Sequence, residues 1–382
     1  MIYLDNSATT YPKPSQVNAA VFTAMQKYGT NPGRSGHTMS RKSSEEVERC
    51  RKTAALMFGV QNPNNVAFTL NCTQALNMVI KGILKPGDHV VTSCIEHNAV
   101  MRPLHKLKDS GGITYTDVKI YPGDNEKTLD SFRKGMTDKT KLIICTHASN
   151  VWGVRLPIER IAALGKIYGV PILVDGAQSA GILPIDIQKM DIDFLCLAGH
   201  KGLYGPMGTG MLITNEADKL GTIIEGGTGT DSMKLCQPKE MPQKLESGTP
   251  NMPGICGLRA AMEFVMAKGI ENIFNHESAL INYLYDNLKN INGVKLYMPR
   301  PDGGFFVPLL SFNIKGYVSD DVREILDKNE IEVRAGLQCA PSAHEFGGSI
   351  DTGTVRISPS VFNTKAEIDR LIEVIKTIKP KD

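Results

Sequence analysis

Residues 170–210 read VPILVDGAQSAGILPIDIQKMDIDFLCLAGHKGLYGPMGTG. An apolar run, Pro171 to Val174, stops at Asp175 and drops into Gly176, Ala177 and Gln178. A second run, Ile192 to Gly199, ends at His200 and Lys201, ahead of a glycine-rich segment. Short apolar runs bounded by turn residues suit strands of a parallel sheet that is covered on both faces. In such sheets ligands sit beyond the carboxyl ends of the strands. One carboxylate and one amine are therefore expected at neighbouring strand ends, opening onto a common cleft.

The same rhythm continues outward. Strand-like runs fall at 66–70, 89–93, 113–120 and 141–149, with helical stretches at about 74–84, up to about 109, and at 157–168. Strands alternating with helices predict an α/β fold, a mainly parallel sheet between two helical layers. Upstream, residues 15–28 read as a helix with Ser15 as its cap. A polar loop carrying Arg34 and His37 follows, and Ser40 is placed to cap a long amphipathic helix reaching about Phe58. Residues 1–14 begin strand-like, and prolines at 12 and 14 keep the rest extended. Residues 216–253 lose the alternation. Helices at 255–268, 273–290, 319–328 and 365–378, with strands at 294–299, 306–314, 331–336 and 354–360, predict a smaller α+β unit. The expected division is a large domain over residues 15–253 and a small C-terminal domain built from 1–14 and 254–382.

Composition excludes several classes. The 382 residues are 41% hydrophobic and 22% charged, as in an ordinary globular protein. A net charge of +3 gives no basic stripe for nucleic acid and no pull toward an anionic membrane. No stretch approaches the roughly 20 apolar residues of a membrane span, and the N-terminus lacks an export signal pattern. The 8 cysteines contain no C-x-x-C pair, so neither a disulfide framework nor a metal site is expected. A cytoplasmic location is the expectation.

An amine and a carboxylate at adjacent strand ends suit a carbonyl cofactor. Lys201 can form an imine with it, and Asp175 can keep a ring nitrogen protonated so that the ring withdraws electrons. Pyridoxal 5'-phosphate meets that description. Individually, an Asp after a strand is an ordinary turn residue and a Lys before glycine an ordinary surface charge. A nucleotide loop fails because Lys201 precedes most of the glycines. Pyridoxal phosphate also needs an anion seat. Asn71-Cys72-Thr73, at a strand-to-helix turn, offers free amides and a hydroxyl, and His200 is a second donor. His97 follows another strand, where it could stack on the ring and carry protons. Asn150 ends another strand, placed to bond the ring's phenolic oxygen, and Gln178, just past Asp175, can share that role. Each alone could be a helix cap. Five strand ends bearing polar groups outweigh that reading.

Asp175-Gly176-Ala177-Gln178, Gly199-His200-Lys201, Glu96-His97-Asn98 and Ser149-Asn150-Val151 resemble the class V aminotransferase family of fold-type I enzymes. Within it the chain is most similar to cysteine desulfurases and selenocysteine lyases. The resemblance runs from Tyr3-Leu4-Asp5-Asn6-Ser7-Ala8-Thr9-Thr10 to Val355-Arg356-Ile357-Ser358 and Asn363-Thr364. It implies a homodimer with shared active sites, in which Thr249 reaches the phosphate held by the partner. It implies that Arg356 binds the substrate carboxylate, with Asn150, Ala8 and Arg334 alongside. It implies that Lys201 and His97 handle protons and that Cys339 takes sulfur as a persulfide. The implied reaction converts L-cysteine to L-alanine, with L-selenocysteine as an alternative substrate and a sulfur-acceptor protein as a partner. Transamination or another β-elimination would leave Cys339 idle, and a non-catalytic binding protein would need neither a carboxylate clamp nor an exposed thiol. The chain departs from the family pattern at Ala198 for serine, Cys72 for threonine, and Leu337-Gln338 for paired histidines.

Overall fold

In the computed structural model, residues 1–33, 36–230 and 232–381 are described, so Arg34 lies outside the described residues. The chain opens with β1 (Ile2–Tyr3), an extended turn, α1 (Ser15–Lys27) and α2 (Thr38–Met57). Pro14 precedes α1 without a side-chain cap, so Ser15 is its first residue rather than its cap. The expected cap of α2 also moves: Ser40 is inside the helix, and the His37 ring accepts its amide at 3.2 Å.

The alternating section follows as β2 (Val66–Thr69), α3 (Cys72–Ile83), β3 (His89–Ser93), α4 (Asn98–Asp109) and β4 (Thr114–Val118). It continues through α5 (Asn125–Gly135), β5 (Thr140–Thr146), α6 (Ile158–Tyr168), β6 (Ile172–Asp175), β7 (Phe194–Ala198) and β8 (Gly210–Thr214). These strands form one seven-stranded sheet in the order β2-β8-β7-β6-β5-β3-β4. β3 to β7 run parallel, and the edge pair β8 and β2 turns antiparallel. Successive side chains of a strand face opposite sides. Accordingly Leu142 and Ile144 of β5 join a core with α3 and α4, while Ile143 and Cys145 join one with α2 and α6. The three layers follow from that alternation. Register then levels the strand ends: Thr146 pairs with Asp175, and Asp175 with Cys196.

Beyond the loop-rich stretch come α7 (Met252–Lys268), α8 (Ile270–Leu288), β9 (Val294–Leu296), β10 (Leu310–Ile314) and α9 (Ser319–Asp327). The chain ends with β11 (Ile331–Glu332), α10 (Pro341–Gly347), β12 (Val355–Ile357) and α11 (Lys365–Thr377). β10 lies antiparallel between β12 and β9, and β11 pairs parallel with β1. Leu4, Leu284, Phe312, Val322 and Leu371 form the separate core of this part. α7 packs on α1 and α2, and the expected division at 253/254 falls in its first turn.

Two helices have no counterpart in the periodicity reading. α5, NEKTLDSFRKG, buries Thr128, Phe132 and Gly135 and is started by Asp124, whose side chain accepts the Lys127 amide at 3.0 Å. α10 is a short piece with Pro341 in its first turn and Gly348 at φ 66° closing it. It is seated on Trp152, the only tryptophan of the chain, whose Nε1 donates to the Ala343 carbonyl at 2.7 Å. Among the described residues no helix is long and apolar enough to cross a membrane.

Candidate active site

Asp175 closes β6 and is 4% exposed. Its Oδ1 accepts the Ala177 amide at 2.9 Å and the Cys72 thiol at 3.4 Å. Burial and the neighbouring Asp175 push the Cys72 thiol well up, so it keeps its proton and remains a donor. Lys201 lies past β7 in a turn closed by Tyr204 N to Lys201 O at 2.7 Å and Gly205 N to Gly199 O at 2.7 Å. Burial pulls its amine below the ordinary lysine range, against the opposing pull of Asp175. The extended N-terminal segment crosses this turn, as its prolines predicted. The His200 carbonyl receives the Thr10 amide at 3.1 Å, the Thr9 hydroxyl at 3.1 Å, the Thr10 hydroxyl at 3.2 Å and Lys13 Nζ at 2.8 Å. Burial lowers Lys13 to about 8.

At the start of α3 the Asn71 side chain accepts the Gln74 amide at 2.9 Å. The Cys72 and Thr73 amides have no acceptor among the described residues, and the helix dipole adds to their pull on an anion. His200 shares this cleft, with a buried, unpartnered Nδ1, and burial with Lys201 and Lys13 lowers it to about 4. His97 caps α4, its Nδ1 accepting the Ala99 amide at 2.9 Å, so a neutral ring carries its proton on Nε2. Burial first and Lys201 second lower it to about 4, which makes neutral the form present at pH 7. Behind it, fully buried Glu96 accepts the Thr146 amide at 2.8 Å and the Ser93 hydroxyl, and burial raises it to about 8. Gln178 also lines the cleft and donates to the Ser7 carbonyl at 3.0 Å.

Arg356 sits on β12, 2% exposed. One terminal nitrogen donates to the Asn150 carbonyl at 2.8 Å and the other to Asp5 Oδ1 at 2.7 Å. Its Nε is buried without a partner. Arg334 is exposed and is hydrogen-bonded to Arg356 through the backbone, with Arg356 N to Arg334 O at 2.8 Å. Ala8 lies in the turn above Asp5, its amide 3.0 Å from the Asp5 carbonyl. Cys339 is exposed, as expected, and stands on a turn where Gln338 and Cys339 have φ of 40° and 59°. Two hydrogen bonds to its backbone carbonyls tie that turn to the cleft: Asn150 Nδ2 to Gln338 O at 2.7 Å and Asn98 N to Cys339 O at 2.8 Å.

The structure thus brings Asn71, Cys72, Thr73, His97, Asn150, Asp175, Gln178, His200 and Lys201 into one cleft. Thr249 is not among them. It lines a different groove with Arg51 and Glu246, where Asn31 Nδ2 donates to its hydroxyl at 3.2 Å. The residue reading gave no role to Asp5, Lys13, Glu96 or Gln338. Asp5 lay inside a quoted motif, but its ion pair spans nearly the whole chain. Lys13 bonds a backbone carbonyl, which leaves no mark in sequence.

The donor set suits pyridoxal phosphate. Two free amides, a hydroxyl and an unpartnered imidazole nitrogen that suit an anion share the cleft with a buried carboxylate and the Lys201 amine. Among the described residues no His, Cys, Asp and Glu group is arranged to hold a metal.

Comparison with known proteins agrees with this geometry. A probable cysteine desulfurase of Halalkalibacterium halodurans is 32% identical, over 99% of this chain and 93% of the relative. A cysteine desulfurase of Escherichia coli K12 is likewise 32% identical, over 99% of this chain and 93% of its own. The apo structure of a cysteine desulfurase from Thermococcus onnurineus superposes with a TM-score of 0.89 at 32% identity, covering 98% of this chain and 94% of that one. The Aminotransferase class-V family model matches residues 2–371. The chain belongs to the class-V aminotransferase family.

Proposed function

We propose that this chain is a cysteine desulfurase that uses pyridoxal 5'-phosphate to move the sulfur of L-cysteine onto Cys339 and release L-alanine. The carrying observation is that a lysine with a desolvated amine, a buried carboxylate and an anion seat share one cleft to whose rim the Cys339 turn is bonded. Asn71, the Cys72 and Thr73 amides, the Thr73 hydroxyl and His200 would hold the phosphate. Asp175 would hold the ring nitrogen, Gln178 and Asn150 the phenolic oxygen, and His97 the ring face. The cofactor supplies an aldehyde that condenses with amines and a ring that withdraws electrons from the substrate's α-carbon.

This chain's residues then divide the work. Arg356 orients the substrate carboxylate, with Asn150 and Ala8 beside it and Arg334 adding positive charge at the rim. Lys201, its proton affinity lowered by burial, gives way to the substrate amine and accepts the Cα proton. His97 keeps an N–H available toward the cleft. The Cys339 thiolate attacks the substrate sulfur: the substrate C–S bond breaks as an S–S bond forms. The electron pair left on the substrate's β-carbon takes a proton and Lys201 returns its proton to the α-carbon, giving L-alanine, and no outside oxidant is needed. The exposed Cys339 persulfide can then be handed to a sulfur-acceptor protein. In a homodimer, Thr249 would supply its hydroxyl to the phosphate held by the other copy.

The test is an absorbance spectrum of the cofactor-loaded protein before and after L-cysteine, with alanine and protein-bound sulfur assayed alongside. A visible band that shifts with L-cysteine and yields alanine plus a Cys339 persulfide is the expected result. No visible band after loading would overturn the role of Lys201. A band unresponsive to L-cysteine but responsive to L-selenocysteine would reassign the substrate.

A further inference from the structure

Gln338 has neither a charge nor a nucleophile, and it precedes the exposed thiol. It is nonetheless 5% exposed, and its side chain is hydrogen-bonded at both its nitrogen and its oxygen. Nε2 donates to the Thr354 carbonyl at 2.6 Å. Oε1 accepts from His344 Nε2 at 2.9 Å and from the Thr354 hydroxyl at 3.4 Å. Burial lowers His344 to about 4, so its ring is neutral and carries one N–H. With that proton on Nε2, Nδ1 accepts from the Ser349 hydroxyl at 2.8 Å, and both ring nitrogens are paired.

The turn so braced is one that L residues avoid. Gln338 at φ 40° and Cys339 at φ 59° are consecutive left-handed residues without a glycine between them. Such a conformation persists only where surrounding bonds impose it. The imposed geometry points toward the cleft: the Gln338 carbonyl accepts Asn150 Nδ2, and the Asn150 carbonyl accepts Arg356 at 2.8 Å. Thr354 is two positions before Arg356 on the same stretch of chain. One amide side chain therefore links the thiol turn, α10 and the Arg356 strand.

We infer that Gln338 is a positioning residue whose side-chain amide locks the left-handed Gln338–Cys339 turn and thereby holds the Cys339 thiol where it can take sulfur. The inference rests on the desulfurase reading for its chemistry, but the lock itself does not. Gln338 does not line the cleft, so its loss should spare substrate binding and slow only the sulfur step.

Two variants test this in the full-length, cofactor-loaded protein. Gln338→Met keeps the length and removes both hydrogen-bonding ends. Half-saturation of the L-cysteine spectral response should stay within about twofold of wild type, while single-turnover formation of the Cys339 persulfide falls at least about tenfold. Gln338→Glu can restore the missing donor by taking a proton. Its deficit should shrink as pH falls from about 9 to about 6, because a buried carboxyl protonates in that range and again donates to the Thr354 carbonyl. A second readout needs no turnover: amide exchange at Asn98, which donates to Cys339 O, should accelerate at least about tenfold in Gln338→Met and not in Leu337→Ala. Wild-type persulfide rates in Gln338→Met, or unchanged Asn98 exchange, would overturn the lock. A wild type that makes no persulfide, with Asn98 exchange still rising in the variant, would fault the desulfurase reading and leave the lock standing. If Gln338→Met does not fold, Gln338→Glu carries both readouts: slow persulfide formation and fast Asn98 exchange relative to wild type at about pH 9, and both restored at about pH 6.

Discussion

Asp5→Asn separates the two partners of Arg356. The Asp5–Arg356 pair is 2.7 Å long, with side chains 16% and 3% exposed. Unit charges about 4 Å apart are worth about 4 kcal/mol at an effective dielectric near 20. The asparagine side chain would keep an oxygen for the guanidinium, and the Asp5 side is partly open to water, so the net loss should be about 2–3 kcal/mol. At about 2 °C per kcal/mol, the variant should melt about 4–6 °C below wild type. The informative part is the recovery. A substrate or product carboxylate bound at Arg356 returns the missing negative charge, so saturating L-alanine should raise the melting temperature of the variant more than that of wild type. Half-saturation should tighten about tenfold, which corresponds to about 1.4 kcal/mol. Differential scanning calorimetry with and without L-alanine reads both quantities. An equal ligand-induced rise in the two proteins would refute Arg356 as the carboxylate seat, whatever the melting point of the free variant.

Other perturbations follow from the same geometry. Burial holds Lys13 at about 8 against an ordinary 10.5, so the unfolded chain binds more protons between those values and stability rises with pH there. Lys13→Met should lose that rise, visible as a wild-type advantage in urea midpoint that grows from about pH 8 to about pH 10. Glu277 accepts the buried Tyr204 hydroxyl at 3.1 Å, and burial raises it to about 8 from an ordinary 4.5. The folded protein keeps that proton where the unfolded chain loses it, so stability falls as pH rises between the two values. Glu277→Gln should remove a fall of up to about 1.4 kcal/mol per pH unit, read as the difference between the two proteins' urea midpoints. A Cβ at Gly347 would collide with the Trp152 ring. Gly347→Ala should cost about 1–3 kcal/mol by overpacking and loosen α10, measured by thermal melting and by exchange at its amides.

The parallel sheet was legible because fully buried strands write themselves as uninterrupted apolar runs, and Ile172–Asp175 and Phe194–Ala198 do so. The cleft was legible for the same reason: where such a run stops at an Asp, a His or an Asn, that residue must stand at the strand's open end. α5 and α10 were not, since one is mostly polar and the other is a single short piece whose Pro341 and Gly348 look like loop residues. The caps of α1 and α2 misled because a serine near a helix start is favoured but not required, and His37 takes the place of Ser40. Lys13 and Gln338 escaped for a deeper reason. Both act largely on backbone carbonyls brought to them by the fold, and no pattern of residue types records where a carbonyl will be.

Trp152 has a use beyond its packing. As the only indole in the chain, buried at 2% exposure, it is the sole tryptophan emitter of the protein. Its ring centre lies 5.5 Å from that of His344, which holds the Gln338 amide. Its fluorescence therefore reports, without any added label, on the ring that braces the thiol turn. A change in its intensity as sulfur arrives on Cys339 would time the movement of that turn from inside the native protein.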